Sequence, residues 1–274
     1  MENKIEKMSE VPPEGFEAFQ VVTGSDELAE YVGRSNWERF WTRNFLCFWK
    51  RGLKGIADEH PEAGKRLRLS GTDPRFGAFD TDLRTLNELS PYFEMEFVNL
   101  AFVTTYRNFE AFIASLCLRA FQTLGDEDAW ANTKRLMIAK SWESKVGSMR
   151  NKFGLTKALG KKSLQEFRTN NPIDLYGINT PITALQLFAE VRHRVLHSDS
   201  TADEDLLKYS DKIKPGARLQ IQGYHLEPIY YWLLELAKFF DNAFLSEFKW
   251  EQVEIDPGKL TVSPPEGMPI PNRQ

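Results

Sequence analysis

The run Arg192-His193-Arg194-Val195-Leu196-His197, followed by Ser198-Asp199, brings together groups that can grip a phosphate and move a proton. An imidazole titrates near neutrality and can take or give a proton, while a guanidinium is a permanent forked cation that matches a phosphate. His193 and His197 are two of only four histidines, and on a helix their four-residue spacing puts them on one face, as for two metal ligands. Arg194 between them opposes a divalent cation, and no cysteine lies near. Further ligands could come only from His225, Glu190 or Asp199, so the run reads as holding no metal and no cofactor. His60 and His225 read as isolated surface residues.

At about 100° per residue, Ala184, Leu185, Phe188, Ala189, Val191, Val195 and Leu196 form one broad apolar arc. Arg192 projects from its middle. An unpaired buried guanidinium costs several kcal/mol, so Arg192 must meet a carboxylate, a phosphate or a subunit interface. Glu110 is the available carboxylate, lying near Val103 and Cys117 on the wheel of an apolar helix where a solvated face is not expected. Their pair would be structural by itself, or would orient a catalytic arginine.

Charge is unevenly spread. From Lys134 to Arg168 there are ten basic residues against Glu143 and Glu166, an excess of eight in a chain whose formal net charge is -4. Lys145, Arg150, Lys152, Lys157, Lys161 and Lys162 in this run could hold an RNA backbone by releasing its counterions, or could be a solvated helix face and loop. Phosphate-loop, dinucleotide, GxSxG and calcium-loop patterns are not found in the sequence.

Helices must position these groups. Ser35-Asn36-Trp37-Glu38 has the form of a capping box, predicting a helix over about 36–56. Its stripe of Trp37, Phe40, Trp41, Phe45, Phe48 and Trp49 reads as core. Dense Gly and Pro punctuation over 58–91 predicts a connector. After Pro91 a long helix over about 92–124, apolar all round, belongs in the middle of a bundle. Further helices are expected over 130–149, around 163–168, after Pro181, and up to Phe248 with Pro228 in the first turn. Arg218 to Gln222 alternates as a strand or extended loop would, and the Pro-rich tail after Trp250 forbids a helix. The expected organisation is an all-α helical bundle over 91–249, with an added N-terminal helical segment within 1–90 and an extended tail over 250–274.

Composition limits the function classes. A chain of 274 residues with 42% hydrophobic content can build a real core, and its nearly balanced charge makes any polyanion site local. Cys47 and Cys117, both in apolar helical stretches, suit a reducing compartment rather than a disulfide framework, which points to the cytoplasm. Apolar runs fall short of the roughly 18 residues that span a bilayer, so no membrane partner is expected.

Arg192-x4-His197 near the start of a late helix, preceded by an apolar helix carrying Tyr106-Arg107-Asn108-Phe109-Glu110-Ala111-Phe112, resembles the HEPN domains. These are all-α modules of prokaryotic toxins and phage-defence ribonucleases, with an Arg-x4-6-His signature often bearing Asn, Asp or His directly after the Arg, as His193 is here. The resemblance covers roughly 92–249. It implies metal-independent RNA cleavage at a composite site in a homodimer, with His197 as acid and base, Arg192 as phosphate clamp, and His193 and Glu110 in support. It also implies RNA as partner and admits an antitoxin or other regulatory protein. Asp199 stands where one toxin branch carries a Tyr that its antitoxin modifies, so that form of control is not expected. A related module that binds RNA or protein without cutting is the alternative.

Overall fold

The computed structural model describes residues 17–59, 61–62, 64, 66–70, 78–139, 141–172, 180–197, 201–202, 204–207, 209, 214, 216–217, 221 and 223–255. Helices dominate, as the periodicity predicts: α1 (Asp26–Glu59), α2 (Leu83–Thr123), α3 (Ala129–Met137), α4 (Trp142–Phe153), α5 (Lys161–Asn170), α6 (Pro181–His197), α7 (Glu204–Leu207) and α8 (Gly223–Phe248). Strands form two antiparallel pairs among the described residues. β1 (Thr23–Gly24) lies beside β4 (Val253–Glu254), and β2 (Arg66–Ser70) beside β3 (Ala78–Asp82). The class is all-α. Among the described residues, no helix is long and apolar enough to cross a membrane.

α2 is the central element, its buried residues spread over about half of its circumference, with Leu100, Thr104, Arg107 and Ala111 exposed along the opposite side. Phe102, Tyr106, Phe109, Ile113, Leu116 and Cys117 are all buried, and α1, α3, α6 and α8 pack around it. Leu28, Tyr31 and Val32 of α1 enter that same core. The expectation of a helix buried all round is therefore corrected: the buried arc is wide enough for four helices to pack on it, but one side faces solvent.

Several boundaries differ from expectation. α1 starts at Asp26, not near residue 36, because Ser25 is the better cap: its hydroxyl accepts from the Leu28 amide at 3.1 Å and donates to Asp241 at 2.5 Å. Ser35 is instead buried inside the helix. Of the aromatic stripe expected as core, only Phe40 is buried, while Trp41, Phe45 and Phe48 are exposed. The proposed connector holds the end of α1, the β2–β3 pair and the start of α2. Asp82 caps α2 by accepting from the Thr85 amide at 2.8 Å, so the helix runs through residue 90 and Pro91 lies within it. A proline there loses one backbone bond at a cost of about 3 kcal/mol, offset by α1, whose Trp49 indole donates to Ser90 at 2.9 Å and meets Phe93 edge-on.

The stretch expected as one helix over 130–149 is two, α3 and α4, because Ser141 caps a new helix by accepting from the Ser144 amide. α8 begins earlier than expected, so Pro228 sits inside it and not in its first turn. Pro181 does open α6, as a proline can at a first helical position. Of 218–222 only Ile221 is described, and it is buried with its amide toward Asn99. The prolines of the tail, His60 and Asp199 lie outside the described residues.

Candidate functional site

The geometry around Arg192 follows from three helices. On α6, Ala184, Leu185, Phe188 and Val191 are buried against α2, with the Phe188 ring edge-on to Phe102 and Tyr106. Leu196, expected in that apolar arc, is exposed, while Val195 beside it packs against the core. Arg192 and His197 therefore lie at the C-terminal end of their helix, not near its start.

Arg192 and Glu110 form an ion pair between α6 and α2. The arginine side chain stays 29% exposed and the carboxylate only 16%, so one side of the guanidinium remains open to solvent. Its carbon also lies 5.4 Å from the Tyr106 ring centre. Tyr106 is held in turn: the Trp142 indole donates to its hydroxyl at 2.5 Å, and that hydroxyl donates to the Leu185 carbonyl at 3.2 Å. Burial pushes the Tyr106 phenol well above its ordinary pKa, so it stays neutral and serves as a fixed dipole.

His193 and His197 are both exposed, with ring centres 5.0 Å apart. No group of three or more possible ligands gathers to hold a metal among the described residues. His225 sits on α8, away from this run in the chain, and burial lowers its pKa. Glu190 accepts from Gln186, whose amide oxygen takes the Trp142 backbone N–H at 2.8 Å and so ties the start of α4 to α6.

Two members of the basic run are not surface cations. Lys145 is buried among Trp142, Val146 and Met149, and its ammonium lies 3.3 Å from Glu110. It cannot serve as a free arm for an RNA backbone. The signal was present in the sequence: Lys145 interrupts the apolar face of α4 just as Arg192 interrupts that of α6, and a charge in such a place must find a partner. Arg150 is likewise engaged, donating to the Leu159 carbonyl at 2.7 Å, with Glu143 at 3.9 Å. Lys152, Lys157, Lys161 and Lys162 are exposed, and Lys162 pairs loosely with Glu166 at 3.9 Å. Lys152 is on α4 and Lys161 and Lys162 are on α5, both of which pack on α6, and Lys157 lies in the turn between them.

A second cluster escaped the sequence reading. Glu38 on α1 has one oxygen buried without a hydrogen-bond partner, and burial pushes its carboxyl up to about 8 despite a bond to Asn108 and the charge of Arg34. Beside it, Tyr31 and Tyr230 are pushed above the ordinary phenol range by burial.

The chain matches no family model, no curated protein and no solved structure. The chemistry of the site therefore rests on the residues themselves.

Proposed function

We propose that this chain is a homodimeric, metal-independent endoribonuclease of the HEPN type, acting in the cytoplasm as a toxin or anti-phage defence effector. The observation that carries this reading is the Arg192–Glu110 pair, which holds a part-open guanidinium on the helix that also bears two exposed imidazoles, His193 directly after it and His197 five residues on. In the proposed reaction a ribose 2′-oxygen attacks the adjacent phosphorus and the bond from phosphorus to the 5′-oxygen breaks. One imidazole takes the 2′-hydroxyl proton, and another gives a proton to the leaving 5′-oxygen. Arg192 stabilises the charge that builds on the pentacovalent phosphorus, and Glu110 positions Arg192. His197 of each copy supplies the acid and the base across a two-fold axis, with His193 alongside. The products are a 2′,3′-cyclic phosphate and a 5′-hydroxyl. Lys152, Lys157, Lys161 and Lys162 hold the flanking backbone.

The test is incubation of the purified protein with labelled RNA in EDTA. Cleavage that vanishes in His197→Ala supports the reading, and cleavage that is absent or unaffected by that change overturns it. A non-catalytic module that binds RNA or a regulatory protein is the second reading. The Lys145 bond favours it, because a carboxylate shared by two cations is also how three helices are stapled together. RNA binding without products, unchanged by His197→Ala, would select it.

A further inference from the structure

The outer halves of α1 and α2 form a two-helix stalk. Phe45 stacks on Phe97 with ring centres 3.9 Å apart, and Trp49 meets Phe93 at 5.4 Å, which fixes the line along which the two antiparallel helices touch. At about 100° per residue, Arg39, Thr42 and Leu46 then fall on one flank of α1. That flank is occupied: together with Leu226, Tyr230 and Tyr231 of α8 these residues line a cleft of about 450 Å³.

The other flank is open. Trp41 and Phe48 lie there on α1, and Leu89, Phe93 and Leu100 lie on the side of α2 that an antiparallel neighbour turns the same way. With Phe45 at the seam, these six side chains are 42% to 56% exposed. Toward the bundle the same open flank is polar, with Glu30 and Arg34 on α1 and Thr104 and Arg107 on α2, all exposed. The apolar character is thus confined to the stalk.

We propose that this face docks on the same face of a second copy of the chain, making a four-helix bundle of two stalks. The area fits. Half of four aromatic side chains, at roughly 200 Å² each, is on the order of 400 Å² before the leucines are added. That approaches the apolar share of the roughly 800 Å² each partner buries in a stable interface.

Charge selects the partner and its orientation. Between Phe40 and Ile56 the charges of α1 are all basic and between Leu86 and Tyr106 those of α2 are all acidic. Lys50 and Glu94 pair within the stalk at 3.6 Å and Arg43 lines the cleft on the other flank, whereas the exposed Arg51 and Glu96 border the open face. A two-fold axis parallel to the stalk lays α1 of one copy antiparallel on α2 of the other and sets opposite signs side by side. An axis across the stalk would lay α1 on α1 and set like charges together, at an energetic penalty. The parallel axis keeps both helical bodies at the same end of the assembly.

The test is the mass of the full chain by light scattering and sedimentation, for the parent and for Phe48→Glu/Leu100→Glu. Both positions are exposed in the single chain, so helicity should be unchanged, and the thermal midpoint should fall only by the stabilisation that association supplies. The parent is expected to be a dimer at micromolar concentration, and the double variant to dissociate about 100-fold more readily. Arg51→Glu is expected to weaken the dimer, and adding Glu96→Lys to restore it. A parent that stays monomeric at about 100 µM overturns the proposal, as does a dimer that Phe48→Glu/Leu100→Glu leaves intact. A stalk dimer that cuts no RNA would leave this proposal standing and sink only the nuclease reading.

Discussion

Lys145 lies 3.3 Å from the one Glu110 oxygen that Arg192 does not use. Each partner comes from a different helix, so a single carboxylate on α2 ties down both α4 and α6. Removing it leaves two cations facing each other in a part-buried space. Glu110→Ala is expected to cost about 3 kcal/mol of unfolding free energy by urea denaturation. Lys145→Met, which replaces a buried cation by an apolar chain of similar length, should cost less than half of that.

His197 is exposed at the end of α6, its ring centre 5.0 Å from that of His193. His197→Ala should therefore leave the urea midpoint within the scatter of a surface substitution, about 0.5 kcal/mol. On the proposed function it should lower RNA cleavage by at least about 100-fold, measured on labelled RNA in EDTA.

The basic run divides into anchored and free cations, and the two sets should respond differently. Replacing Lys157, Lys161 and Lys162 together by Ala removes three exposed charges and should reduce the slope of log affinity against log salt by about 2 for single-stranded RNA. Arg150→Ala breaks the bond to the Leu159 carbonyl and should lower stability by roughly 1 to 3 kcal/mol, with little change in that slope. Fluorescence titration at several salt concentrations and urea denaturation separate the two outcomes.

Glu38 makes stability depend on pH. Burial raises its pKa in the folded chain to about 8, above the ordinary 4.5. A raised folded value means the folded state holds its proton more tightly. The stabilisation is then complete below pH 4.5, declines as pH rises, and is gone above about 8. The span is on the order of several kcal/mol. Glu38→Gln keeps the neutral amide shape and should flatten the profile, raising stability at pH 8.5 more than at pH 5. Urea titrations at the two pH values measure it, and a profile unchanged by the substitution would show that Glu38 is not the group responsible.

Much of the interior was legible in the chain itself. Phe112, Phe102 and Val103 span about half of one helix's circumference and need partners on several sides, and Arg192 in an apolar arc demands the carboxylate that Glu110 supplies. Helix ends were harder to read. Ser25 and Ser35 are both plausible caps, and the choice between them is made by Asp241, more than two hundred residues away in the chain, which holds the Ser25 hydroxyl. Pro91 reads as a helix start until the packing of Trp49 on Ser90 and Phe93 is known. The aromatic stripe of α1 has a helical period whether its partner is the chain's own core or another molecule, so periodicity alone could not tell burial from exposure. Lys145 was counted with its basic neighbours when its place on the apolar face of α4 set it apart.

The pairing of β1 with β4, together with the grip of Asp241 on Ser25, joins the two ends of the described chain. During synthesis α1 can lie against α2 as soon as that helix has left the ribosome, but the β1 strand and the Ser25 cap cannot close until β4 and Asp241 have followed. This end of the bundle is therefore completed after the helices between the two strands.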